Sequence, residues 1–173
     1  MRACEQTKGL NMLEHGQSVH AHYKLLDERL ESGQHDCEIL QQLWAKFGHT
    51  LPPPSVLERY HVYHDCGKHL CLHTDCDGRR HFDDHASWSA KQYAHIFPED
   101  GFTKHLILHD MDFHVLRGDD LRNLWKSPFA PILYFTAWAE IYANAEMFGG
   151  QGSESFKIKK ARLIQAGKKA KEK

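Results

Sequence analysis

The chain has no apolar run approaching the ~18 residues a membrane-spanning helix needs, so nothing in it reads as a membrane anchor. Its first residues are polar and lack the apolar centre of a secretory signal. Cysteine is sparse: five residues (Cys4, Cys37, Cys66, Cys71, Cys76), an odd set without the spacing of a disulfide framework. Together these absences point to a reducing, cytoplasmic setting. Alternating strand patterns of useful length, repeats and low-complexity segments are also missing, which argues against a sheet-based or solenoid fold. At 173 residues the chain is long enough for one domain with a true core.

Histidine is abundant: 15 residues, scattered from His15 to His114 rather than gathered in a tag. Imidazole is the commonest metal ligand and an acid–base group near neutrality. Charge is also uneven. Residues 157–173 hold eight Lys/Arg and one acid, against 22 and 23 in the whole chain, so the body is acidic and the tail basic. A basic tail suits nucleic-acid contact or simply a solvated helix end.

Apolar residues recur at helical spacing through Met12, Val19, Tyr23, Leu26 and Leu30, with His15 in line, and Gly33 ends the run. Asp36 is placed to cap a second helix through Phe47, and Ser55 a third that carries Leu57, Tyr60 and His64. Residues 69–84 show no helical period, and residues 75–80 read as an exposed turn. Asp84 opens a helix over 85–95, Asp100 or Thr103 one through His109, and a short one covers 121–126. The longest apolar helix spans 132–148, and a peripheral helix follows over 154–166. The expected fold is all-α, a compact bundle of about six or seven helices. Trp44, Trp88, Trp125 and Trp138 fall at core spacing, with nucleotide stacking the alternative for Trp88.

The inward or helix-terminal positions carry His15, His64-Asp65, His85, His109 and Glu140. Glu140 sits in so apolar a helix that its burial demands a partner or a metal. Cys66, His69, Cys71, His73 and Cys76 form a rival zinc set, without the usual paired Cys-x2-4-Cys spacing.

Along the chain these residues run H…HD…H…H…E. Leu13-Glu14-His15, His64-Asp65-Cys66-Gly67-Lys68 and Phe82-Asp83-Asp84-His85 give the chain its resemblance to the HD-domain metal-dependent phosphohydrolases. It is most similar to the HD domain attached to bacterial tRNA nucleotidyltransferases, over residues 10–150. The family usually closes with an alanine–Asp pair, and the matching place is Ala139-Glu140, with Asp110, Asp112, Asp119 and Asp120 as competing last ligands. The resemblance implies an HD-type domain over residues 1–152 followed by a basic helix over 153–173. It also implies phosphoester hydrolysis by one or two divalent ions. Asp65 would bridge, His15, His64 and Glu140 would hold one ion, and His85 and His109 a second ion or the phosphate. Lys68, with Arg79 or Arg80, would neutralise phosphate charge. Mixed N/O ligands favour Mn, Fe, Co, Ni or Zn. The expected substrate is a phosphorylated nucleotide or RNA end, cleaved as a phosphomonoester or 2′,3′-cyclic phosphodiester. Nucleoside mono- or triphosphate hydrolysis is the second reading, and a metal-stabilised RNA- or protein-binding module the third.

Overall fold

A computed structural model of the chain describes residues 1, 5–7 and 10–170. Cys4 and the last three residues of the basic tail, 171–173, lie outside them. The fold is all-α. In chain order it comprises β1 (Glu5–Thr7), β2 (Leu10–Asn11), α1 (Met12–Glu31), α2 (Glu38–Phe47), α3 (Pro54–Tyr63), α4 (Lys68–Cys71), β3 (Leu72–Thr74), β4 (Arg80–Phe82), α5 (His85–Ile96), α6 (Gly101–Leu108), α7 (Asp112–Val115), α8 (Gly118–Leu124), α9 (Ala130–Ala143) and α10 (Glu154–Lys169). The strands form two antiparallel hairpins, β1–β2 and β3–β4. Among the described residues no helix is long and apolar enough to cross a membrane.

The chain divides into two units. The first comprises Met1–Ser18 and Pro54–Asp110, the second Val19–Pro53 and Met111–Lys173.

In the first unit, Asn11 opens α1 by a reciprocal cap. Its Oδ1 accepts the N–H groups of Leu13 and Glu14 at 3.0 Å, while Glu14 Oε2 accepts the Asn11 N–H at 3.0 Å. One residue after His15, Gly16 lets α1 lie directly on α3. A Cβ there would stand 2.6 Å from the Val62 carbonyl oxygen and 2.8 Å from that of His61. Helices α3, α5 and α6 pack together around Leu57, Tyr60, Tyr93, Leu106 and Ile107. Asp100 caps α6 by accepting the Thr103 N–H at 3.0 Å.

The β3–β4 hairpin occupies a stretch where no strand was expected. Its turn is closed by Asp75, whose Oδ1 accepts the N–H groups of Asp77 and Arg79, and by Gly78 at φ +76°.

In the second unit, α9 is buried on every side, as its unbroken apolar sequence requires, and starts with proline in its first turn. Tyr134 is its hub, edge-on to Phe113 and Phe135 and tilted against Trp125. The expected peripheral helix is instead part of this core: Phe156, Leu163, Ala166 and Gly167 of α10 are buried. Tyr134 donates to the Leu163 carbonyl at 3.0 Å, and Trp125 Nε1 to that of Ala166 at 2.8 Å. Two further expectations shift. Cys37, not Asp36, is the residue before α2, and its N–H is accepted by His35 Nδ1 at 3.1 Å. Trp88, expected in the core, is 39% exposed.

Candidate metal centre

The first unit gathers its chemistry where α1, the turn after α3 and the start of α5 meet. Gly67 governs the last of these approaches. A Cβ on it would lie 2.3 Å from Ser89 N and Trp88 C, so only glycine allows the 64–67 turn to press against the α5 backbone. Its own N–H donates to Ser89 Oγ at 3.0 Å. This contact and the Gly16 crossing bring His15, His64 and Asp65 together.

All three are almost wholly buried. One ligand atom from each falls within 4.8 Å of the other two. His15 Nε2 is 3.6 Å and His64 Nε2 3.3 Å from Asp65 Oδ2, and His85 Nε2 is 3.7 Å from Asp65 Oδ1. Tetrahedral N and O donors each about 2.1 Å from a shared ion stand about 3.4 Å apart, so these separations fit such a donor set.

The imidazole tautomers follow from backbone acceptors. His64 Nδ1 is 2.6 Å from the His61 carbonyl oxygen, and His85 Nδ1 is 3.0 Å from that of Phe82. A carbonyl only accepts, so each Nδ1 carries the hydrogen. In the neutral ring Nε2 then presents a lone pair, and in both residues it faces a carboxylate oxygen of Asp65. Burial pushes the His85 pKa down, which favours its neutral form. Two electron-rich atoms face to face repel unless a proton or cation lies between them. The arrangement is that of histidine ligands oriented from behind by a carbonyl.

Burial alone would raise the Asp65 pKa, but positive charge beside it, from His64 and His15 when they are protonated and from the Lys68 ammonium, holds it well below the ordinary carboxylate range. Lys68 Nζ sits 2.5 Å from Asp65 Oδ2, whereas Oδ1 accepts no hydrogen bond among the described residues. The buried donors, the tautomers and this bare oxygen all suit a divalent ion.

The remaining candidates are placed differently. His109 ends α6 with its ring 4.5 Å from that of His105, outside the His15–His64–Asp65 group. Asp110 is buried, accepts from the Tyr60 hydroxyl, and offers an oxygen within 4.8 Å of a His64 nitrogen. Arg79 and Arg80 are exposed on the β3–β4 hairpin. Glu140 belongs to the second unit, where its Oε2 lies 2.8 Å from His114 Nε2. Asp112 opens α7, and Asp119 and Asp120 lie in the exposed first turn of α8, Asp119 paired with Arg122.

Among the rival thiols, Cys66 is buried with Sγ donating to the Ser89 carbonyl, and burial pushes its pKa up to about 12. Its thiolate is thereby disfavoured as a ligand. Sequence reading missed the two carbonyls that fix the tautomers. They are backbone atoms, and no residue type announces them.

Fold and site together define an all-α protein with a buried cluster of histidine and aspartate of metal-ligand type. Comparison of the chain with protein-family models, curated protein sequences and solved structures returns no match.

Proposed function

We propose that the chain is a metal-dependent phosphohydrolase of HD type, acting on a phosphorylated nucleotide or RNA end. The observation that carries this reading is the set of imidazole Nε2 atoms, oriented by backbone carbonyls, around the two oxygens of Asp65. The motif order His15, His64-Asp65, His85 supports the family, and the HDxGK-like element supports the substrate class. His15, His64 and Asp65 would hold the ion, with Asp110 completing the set. A bound divalent ion polarises a phosphoryl oxygen and lowers the pKa of water toward neutrality.

Asp65 stays ionised and fixes the charge at the centre of the site. Lys68 supplies positive charge for a phosphoryl group. Neutral His85, with Nδ1–H anchored on Phe82, has an Nε2 able to take up or return a proton as water adds and the alcohol leaves. A cytoplasmic setting fits such a substrate. The basic face of α10, with Lys157, Arg162 and Lys168 exposed, is the surface for RNA contact.

Metal analysis of the purified protein and a hydrolysis screen over nucleotides and 2′,3′-cyclic ends test this reading. Bound transition metal and activity lost in Asp65→Ala are expected. Absence of metal with activity intact in Asp65→Ala refutes it. Metal binding without hydrolysis of any phosphoester favours the binding module, and a preference for nucleoside mono- or triphosphates the second enzymatic reading.

A further inference from the structure

His85 stands between two aromatic residues, Phe82 and Trp88, three positions to either side. The Phe82 carbonyl orients the His85 ring, and the Phe82 ring lies 5.7 Å from Lys68 Nζ. Trp88 follows one turn along α5, about 4.5 Å further along the axis and on a neighbouring face. Its backbone is fixed against the site, because Gly67 is pressed onto Trp88 C and O.

The indole is treated unlike the other three. Trp125 and Trp138 are 3% and 0% exposed and Trp44 is half-buried, whereas Trp88 is 39% exposed. Lys91 Nζ stands 4.9 Å from the centroid of the Trp88 ring, which steadies it by a cation–π contact. An exposed aromatic surface one helical turn from His85, on backbone packed against Gly67, is suited to a flat, uncharged ring attached to a phosphate.

We propose that Trp88 is a specificity-determining platform on which the base of a nucleotide substrate stacks, its phosphate lying toward Asp65 and Lys68. The inference rests on the phosphohydrolase reading and narrows it: the preferred substrates carry a nucleobase, and simple sugar phosphates are poor ones.

Two measurements test it. The first compares kcat/KM for adenosine 5′-monophosphate and for ribose 5-phosphate, which share the phosphoester and differ in the base. The wild-type protein should prefer the nucleotide. Trp88→Leu should lower that preference about tenfold, through KM rather than kcat, and Trp88→Phe should restore most of it. An unchanged preference in Trp88→Leu overturns the proposal.

The second measurement needs no turnover. Adenosine should quench tryptophan emission in the wild-type protein and not in Trp88→Phe. Absence of quenching in the wild type, or its persistence in Trp88→Phe, overturns the proposal. If neither is hydrolysed, the comparison passes to whichever phosphoester the hydrolysis screen identifies; if the screen identifies none, the phosphohydrolase reading fails, and the adenosine titration still decides whether Trp88 binds a base.

Discussion

Replacing Gly67 by alanine tests the contact on which the candidate site depends. The added Cβ would meet Ser89 N and Trp88 C at 2.3 Å and Trp88 O at 2.5 Å, where ordinary contact begins near 3.4 Å. All three are backbone atoms, so no flexible side chain can swing aside. The 64–67 turn and α5 must separate by about 1 Å, which belongs at the upper end of overpacking costs, about 3 kcal/mol. The same movement stretches the 3.0 Å hydrogen bond from Gly67 N to Ser89 Oγ, worth about 1 kcal/mol more. Gly101→Ala is the matched control, since its Cβ would meet nothing within 4 Å. That change should alter stability by less than about 1 kcal/mol, in the favourable direction. With a urea slope of about 2 kcal/mol/M, Gly67→Ala should lower the unfolding midpoint by about 2 M. Absorption titration with Co(II) should also show weaker binding, because Asp65 and His85 sit on opposite sides of the contact. Equal midpoints for the two variants would refute the reasoning.

Two further outcomes follow from other parts of the structure. Burial pushes the Asp100 pKa up, but hydrogen bonds from the Thr103 N–H and the Tyr93 hydroxyl outweigh it, and the net value is lowered. A lowered carboxylate contributes stability that is full above its unfolded value, about 3.9, and is lost as pH falls through the folded value. Asp100→Asn should therefore be less stable than wild type by about 1 kcal/mol at pH 7, the gap closing in urea melts as pH falls below about 3.9 and through the lowered folded value. A gap independent of pH would contradict this. In α10, Leu163→Ala should cost about 2–5 kcal/mol, since the side chain is 1% exposed, while Arg162→Glu and Lys168→Glu should each stay within about 0.5 kcal/mol by thermal melting. The charge reversals, rather than deletion of a core helix, are then the means of testing RNA affinity and its salt dependence.

Where several apolar residues recur at helical steps, as in α1, α2 and α9, the helix was legible, and of the two candidate starts for α6, Asp100 and Thr103, Asp100 is the cap. The four-residue helices α4 and α7 are too short to show a period. The β3–β4 hairpin rests on an aspartate-bonded turn rather than on strand composition. Charge concealed the role of α10: its lysines suggest a tail, yet Phe156, Leu163 and Ala166 hold it in the core. His15, His64 and Asp65 were readable because each lies in a local motif whose glycine, 16 or 67, also makes the close approach. Arg79 and Arg80 lie exposed on the β3–β4 hairpin and His109 ends α6, since spacing along the chain does not specify direction in space. Trp88 followed the helical period of the core and still faces outward, since α5 buries Ala86, Ser89, Ala90 and Tyr93 instead.

The two oxygens of Asp65 separate the metal reading from a purely structural one. Lys68 Nζ, 2.5 Å from Oδ2, neutralises a carboxylate that is 1% exposed, and Oδ1 accepts no hydrogen bond among the described residues. Removing the ammonium in Lys68→Met leaves that charge buried without its cation, at a cost of about 3–5 kcal/mol in metal-free protein. A divalent ion at the same carboxylate would supply the missing charge and repel the ammonium where it is present. Added Mn(II) or Zn(II) should therefore stabilise Lys68→Met by about 2.7 kcal/mol once the ion reaches a hundred times its dissociation constant for the variant, and wild type by less at the same concentration. Thermal melts with and without metal measure this directly. If metal raises the melting temperature of neither protein, then Lys68 rather than an ion is the permanent partner of Asp65; equal rises in both would refute competition between the ammonium and the ion at this carboxylate.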